Sequence, residues 1–174
     1  RWEDLRLNSP NDAVYRSDGA LIFTDPPYGL EGNVDDRFKE IPFQGVYLLK
    51  DGQLRLLTEK LTRPNGLAFL DGEKRLIVAN SDPEKAIWYV FDIGPGDSLD
   101  NARVFYDATP LVGPEHKGLP DGLKVDARGH VFATGPGGVF IFDPNARLIG
   151  KLVVPGPTSN IALADEGRTL FITA

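Results

Sequence analysis

The chain has 174 residues; 41% are hydrophobic, 25% are charged, and the formal net charge is -6. That balance is globular, with enough chain for a sizeable core, and without a basic block it makes a poor partner for a nucleic-acid backbone. The lack of cysteine excludes a disulfide framework, thiolate chemistry and cysteine-held metal, and no apolar run approaches the roughly 18 residues of a membrane span. A soluble protein is expected, cytoplasmic or periplasmic, with no membrane partner.

In chain order, Arg1 to Asn8 reads as the tail of an outer strand. Ser9-Pro10-Asn11-Asp12 is a turn, because proline fixes one dihedral and Asn/Asp bond back to backbone. Ala13 to Arg16 and Leu21 to Thr24 are short strands around a tight Ser17-Asp18-Gly19 turn. Asp25 to Glu40 is a long loop broken by Pro26, Pro27, Gly29 and Gly32, and loops of that length are often functional. Tyr28 and Leu30 on it are candidates for covering a pocket, the alternative being that they only pin the loop. Gly45 to Lys50 and Leu54 to Thr58 flank an Asp51-Gly52 hairpin turn.

The plan then repeats. Asn65 to Phe69, Arg75 to Ala79, Ile87 to Asp92 and Ala102 to Tyr106 form a second set of strands, with a loop over Ser81 to Lys85. Leu123 to Val125, His130 to Thr134, Val139 to Phe142 and Arg147 to Val153 form a third. Asn160 opens a fourth, which reaches Leu170 to Thr173. Glycine and proline recur every 8 to 12 residues, which is all-β spacing, and no helix is expected. Each unit starts from a polar anchor: Asn11, Asn65, Asp121 and Asn160. A turn glycine follows each anchor by 8, 7, 8 and 7 residues. Four short antiparallel strands per unit and a period of this length point to an all-β propeller. The expected units are 1-60, 61-108, 109-155 and 156-174, about three and a half blades.

Inner strands of a propeller line its central channel, so the four anchors should converge at one end of it. Side-chain oxygens that converge suit a hard divalent cation. A single Asn or Asp beside a turn is more often a backbone cap; four in register, three of them behind Pro10, Pro64 and Pro120, favour a site. Asp18, Asp71, Asp126 and Asp165 sit beside hairpin glycines and read as turn residues. His130 reads as surface, whereas His116, just before Asp121, could look into the site. Gly135-Pro136-Gly137-Gly138 lacks the lysine and helix of a phosphate loop. Trp2 and Trp88 read as packing aromatics.

Asn8-Ser9-Pro10-Asn11-Asp12 together with Phe23-Thr24-Asp25-Pro26-Pro27-Tyr28-Gly29 resembles the gluconolactonase branch of the SMP-30/gluconolactonase/luciferin-regenerating family. Arg63-Pro64-Asn65-Gly66-Leu67-Ala68-Phe69, Leu119-Pro120-Asp121-Gly122 and Leu170-Phe171-Ile172-Thr173 fit the same family, in its order. The resemblance implies a propeller of six blades in the full protein. It also implies hydrolysis of a small polyhydroxylated sugar lactone with a divalent metal, calcium before zinc, magnesium or manganese. It makes Asn65 and Asp121 metal ligands and Asp121 the base. Asn11 falls on the substrate side near the metal, counted here among the possible ligands, with Asp12 as its neighbour and Tyr28 beside the substrate. Asn160 is a further member of the anchor set. Ser9 stands where some relatives carry a substrate-contacting arginine, and the family's metal-binding glutamate has no counterpart in this sequence.

The stretch is therefore expected to be an internal piece of a longer product. The rest of the ring, or a second copy, would close it. Two rival classes differ from a lactonase: a propeller that only binds a small ligand or protein around a structural ion, and a quinone-dependent sugar dehydrogenase. The second should show basic and aromatic channel residues, which the anchors do not supply.

Overall fold

The computed structural model describes residues 1–174 and is built from strands alone, apart from four single-turn 3-10 segments. The first sheet runs β1 (Ala13–Tyr15), β2 (Leu21–Asp25), β3 (Gly45–Lys50) and β4 (Gln53–Thr58), paired in that order. The second is β5 (Pro64–Leu70), β6 (Arg75–Asp82), β7 (Lys85–Ile93) and β8 (Leu99–Asp107). The third is β9 (Leu123–Val125), β10 (Val131–Gly135), β11 (Gly138–Phe142) and β12 (Leu148–Val153). A two-stranded hairpin, β13 (Asn160–Ala164) and β14 (Thr169–Thr173), ends the chain. Every pairing is antiparallel. Local chemistry explains the short connections. Asp51 and Gly52 both take positive φ, 50° and 75°, the pair of left-handed residues that a two-residue hairpin demands.

The first strands pack side by side, β1 against β5, β5 against β9 and β9 against β13. This is the arrangement of a partial, unclosed β-propeller. Two apolar cores hold the sheets together. One lies between the first and second sheets and includes Ile22, Leu48, Leu76, Val78 and Phe91. The other joins the second and third and is centred on Trp88, with Phe140 and Phe142 at 5.4 and 6.0 Å between ring centroids. Each such buried side chain contributes about 1.5–3 kcal/mol relative to exposure.

Several expectations need correction. Arg1 to Asn8 is not a strand; it holds one isolated bridge, Trp2 to Leu5. Trp2 packs instead on Phe43 and Tyr47 beneath the long loop. The loop expected over Ser81 to Lys85 shrinks to a tight turn, because β6 and β7 pair as far as Asp82 with Lys85. The glycines directly after two anchors, Gly66 and Gly122, are set by close packing. Gly66 lies inside β5, where an added Cβ would stand 2.2 Å from the Asp121 carbonyl oxygen. A Cβ on Gly122 would stand 2.3 Å from Asn160 Oδ1. Glycine follows these anchors because the next blade's anchor segment presses on it, where no side chain fits. No helix is long and apolar enough to cross a membrane.

Candidate functional site

Three anchor segments meet at one end of the inner strands. The Ser9-to-Asp12 strap is stitched to the end of β2. Asn8 N–H and Ser9 N–H donate to the two oxygens of the fully buried Asp25 carboxylate at 2.8 and 2.7 Å. Asn11 N–H donates to the Thr24 carbonyl at 3.0 Å, and Thr24 N–H returns a bond to the Asp12 carbonyl at 3.0 Å. The second anchor, Asn65, sits where the β5–β6 register slips between Pro64 and Leu67. A bulge of this kind re-aims a side chain. The third, Asp121, lies just before β9, with its N–H on the Thr134 carbonyl at 3.2 Å.

Two of the five buried side-chain atoms without a partner lie here; the others are on Asn8, Tyr47 and Trp88. Asn65 is 4% exposed, and its Oδ1 has no hydrogen-bond partner. Asp12 uses Oδ1 to accept Ala13 N–H at 2.8 Å, while its Oδ2 is buried and unpartnered. A buried polar atom left this way costs about 1–3 kcal/mol, so each one calls for an explanation. Asp121 is more than half buried, and its carboxyl is pushed up to about 6. Burial is the main cause and the nearby Asp12 charge adds to it; Gly122 N–H and the Asn65 amide pull the other way. No cationic side chain forms an ion pair with Asp12 or Asp121.

The remaining predicted residues fall around this pair. Tyr28 reaches over from the long loop with its hydroxyl 3.5 Å from the Ser81 carbonyl. Burial raises its pKa, and Asp121 adds to the effect. Asn11 is exposed, and its side chain makes no hydrogen bond within the chain. Asn160 stands apart: its Oδ1 accepts Ile161 N–H at 2.8 Å and faces Lys124 Nζ at 3.3 Å. That oxygen is already engaged, as a cap at the start of β13. Of the predicted residues only Asp121 lines the neighbouring open cavity of about 680 Å³, whose wall also includes Ser81, His116, Lys117, Thr158 and Ser159. His116 does look into this region, whereas His130 is held by Asp126 at 2.9 Å.

Sequence reasoning missed Thr24 and Asp25, the residues that hold the strap. A signal was present: Leu21-Ile22-Phe23-Thr24, Val131-Phe132-Ala133-Thr134 and Leu170-Phe171-Ile172-Thr173 all close an apolar second strand with threonine. Thr24 and Thr134 are fully buried. Thr134 Oγ1 bonds the Gly122 carbonyl at 2.9 Å, and Thr173 Oγ1 bonds the Asn160 carbonyl at 3.1 Å.

Half-buried carboxylates and a free amide oxygen, with no cation among them, form a donor set that suits a hard divalent ion. No three His, Asp or Glu side chains gather anywhere in the chain, so the donors on offer combine amide with carboxylate. Comparison with known proteins gives the family. The description SMP-30/Gluconolactonase/LRE-like region matches residues 2–174. A gluconolactonase of Zymomonas mobilis is 40% identical over 182 residues, covering 99% of this chain and 50% of that protein. A gluconolactonase structure from Xanthomonas campestris is 35% identical with a TM-score of 0.85, covering 100% of this chain and 57% of that one. The calcium-binding protein regucalcin of Agrobacterium tumefaciens shares the fold at 22% identity and a TM-score of 0.71, covering 95% of this chain and 52% of its own. The chain spans about half the length of the curated relatives it matches. It belongs to the SMP-30/gluconolactonase/LRE-like family.

Proposed function

We propose that this chain carries part of the active site of a divalent-metal-dependent sugar lactonase, within a propeller of six blades whose units here are 1-60, 61-108, 109-155 and 156-174. The observation that carries the reading is the unpartnered Asn65 Oδ1 and Asp12 Oδ2 beside Asp121, with no cation to satisfy them. Asn65 and Asp121 would hold the ion, calcium before zinc, magnesium or manganese, and Asp12 would add a second negative charge alongside. A bound divalent ion supplies charge stabilisation at a lactone carbonyl that is becoming an oxyanion.

The chain's own residues do the rest. Asp121, with a carboxyl near 6 in the absence of an ion, is ionised at neutral pH and can orient a water and take its proton as that water attacks the lactone carbonyl. A neighbouring cation would pull that carboxyl back down, which favours the orienting role. Asn11, exposed and with its amide free, offers hydrogen bonds to sugar hydroxyls. Tyr28 covers the same end from the long loop. The cavity beside Asp121 mixes hydroxyl, imidazole and ammonium groups with Pro83, Val112, Leu119 and Pro157, so a sugar ring would find hydrogen-bond partners there for its hydroxyls and apolar contact for its faces.

The test is hydrolysis of gluconolactone by the full-length gene product, with calcium and after chelation. Calcium-dependent turnover is expected. Turnover that survives complete chelation would remove the metal from the reading. Calcium bound without turnover of any aldonolactone would favour a propeller that only binds.

A further inference from the structure

Asn65 sits at a place where its own sheet gives it little support. The β5–β6 ladder slips between Pro64 and Leu67, so Asn65 has no register partner there. A contact to its main chain comes from the neighbouring sheet: Thr24 Oγ1 donates to the Asn65 carbonyl at 2.9 Å. The same oxygen accepts Asp12 N–H at 3.3 Å. A hydroxyl has one proton to give and lone pairs to accept with, so the two bonds form a single chain, Asp12 N–H to Thr24 Oγ–H to Asn65 C=O. Thr24 is fully buried and no water can replace it without rearrangement. Its own N–H and C=O grip the Asp12 and Asn11 main chain, each at 3.0 Å.

We infer that Thr24 is a positioning residue of the site: its hydroxyl sets where Asn65 Oδ1 stands relative to Asp12 across the junction of the first two sheets. The inference rests on the reading of Asn65 as a ligand. Thr134 provides an internal contrast. It is equally buried, but its hydroxyl bonds the Gly122 carbonyl at 2.9 Å within its own sheet, where Thr134 N–H already bonds the same carbonyl at 3.0 Å. Its reach to the next sheet, toward the Ser159 carbonyl, is 3.5 Å. Thr24 shows the reverse, with its reach to the Asp12 carbonyl of its own sheet at 3.5 Å and its bond to the next sheet at 2.9 Å, so the short bond of Thr134 duplicates one within its sheet and that of Thr24 crosses the junction.

The experiment uses three variants of the full-length gene product: Thr24→Val, which keeps the shape and removes the hydroxyl, Thr24→Ser, which restores it, and Thr134→Val as the control. Two readouts are taken. The first is the NMR signal of the Asn65 side-chain amide in calcium-free protein. It should move in Thr24→Val, return in Thr24→Ser and stay in Thr134→Val. The second is calcium affinity by calorimetry, which should fall tenfold or more in Thr24→Val, less in Thr134→Val, and recover in Thr24→Ser. An unmoved Asn65 signal in Thr24→Val overturns the inference, as does an equal loss of affinity in the two valine variants. If Thr24→Val does not fold, Thr24→Ser still decides through the Asn65 signal: a signal at the wild-type position supports the inference and a displaced one overturns it. Wild-type protein that binds no calcium would remove the ligand reading, and the Asn65 signal alone then decides whether Thr24 positions it.

Discussion

The two ends of the sheets treat the same residue type in opposite ways. At the hairpin-turn end, Asp18, Asp71 and Asp143 each meet an arginine, while Asp51 and Asp165 meet no cation. Asp18 takes Arg16 at 2.7 Å and Lys50 at 2.6 Å, and these bonds, Arg16 first, hold its carboxyl well below the usual carboxylate range. Asp71 pairs with Arg75 and Asp143 with Arg147, and Asp126 is hydrogen-bonded to the His130 ring. At the anchor end, Asp12 and Asp121 stand close enough to repel, with no cation beside either. Folding alone favours the first arrangement, since an unpaired, half-buried carboxylate destabilises the chain. The anchor end thus keeps strain that the turn end has removed, which is how a binding site differs from a turn.

The widest separation between the ends should come from removing one carboxylate at each. Asp121→Asn should cut lactone turnover by about a hundredfold to ten-thousandfold, the range for loss of a proton-handling group. Asp18→Asn should leave turnover intact and lower the melting temperature slightly, because Asp18 is exposed, Lys50 is partly exposed and the more buried Arg16 keeps Asp97 at 2.8 Å. Steady-state hydrolysis and thermal melts on both variants check the pair. Equal turnover in the two would erase the distinction.

Glycine draws the same contrast with a smaller effect. At Gly66 a methyl group would meet the Asp121 carbonyl oxygen at 2.2 Å, a backbone atom that cannot swing aside. Gly66→Ala should cost about 1–3 kcal/mol through overpacking and lower turnover as well, since the displaced segment carries Asp121. At Gly52, φ is 75° and nothing lies within 4 Å of an added Cβ. Gly52→Ala should cost about 1–2 kcal/mol of left-handed strain and leave turnover alone. Urea midpoints measured beside activity separate the two kinds of glycine.

How much of this was legible in the sequence follows from the same contrast. Short apolar runs such as Val46 to Leu49, followed by the Asp51-Gly52 turn, gave the strands, because apolar patterning and turn chemistry act over a few residues. Asn160 shows the limit. Its spacing matches Asn65, yet its amide caps its own strand, and only side-chain direction decides that. Asp25 shows another limit. It reads as the start of a loop, and its role depends on Asn8 and Ser9 folding back onto it. The close approach of Asp12 to Asp121 joins residues more than a hundred positions apart, which no local pattern reports.

Asn65 tests whether the anchor end sacrifices stability for binding. Its Oδ1 has no partner to lose, but its NH2 supports the Asp121 carboxylate, so gain and loss oppose and Asn65→Ala should melt close to the wild-type temperature in chelator. In saturating calcium the variant should fall clearly behind, because the wild type gains ligand stabilisation and the variant binds about tenfold or more weakly, roughly 1.4 kcal/mol. Scanning calorimetry with and without calcium reads both gaps. A variant less stable than wild type by the same margin in each condition would make Asn65 a packing residue.

The smallest expected effect lies at the turn end and depends on pH. Asp143 is held below its ordinary value of 3.8, chiefly by the Arg147 backbone N–H and then by the Arg147 guanidinium, with Asn145 N–H adding to both. A carboxyl whose folded-state pKa is depressed contributes stability that is fully present above the unfolded value. That stability is lost as pH falls through the folded one. The gap in stability between wild type and Asp143→Asn should therefore be constant from neutral pH down to about pH 5. It should close below pH 3.8, as the carboxylate takes up its proton and the ion pair disappears. Turnover should be unchanged at neutral pH, since the Asp143 turn lies away from the anchors. Urea unfolding of both proteins across that range checks the sign. A gap that widens on acidification would mean that Asp143 is more easily protonated in the folded state than in the unfolded one, and the paired aspartates of the turn end would then not differ from the anchor end in the way their hydrogen bonds require.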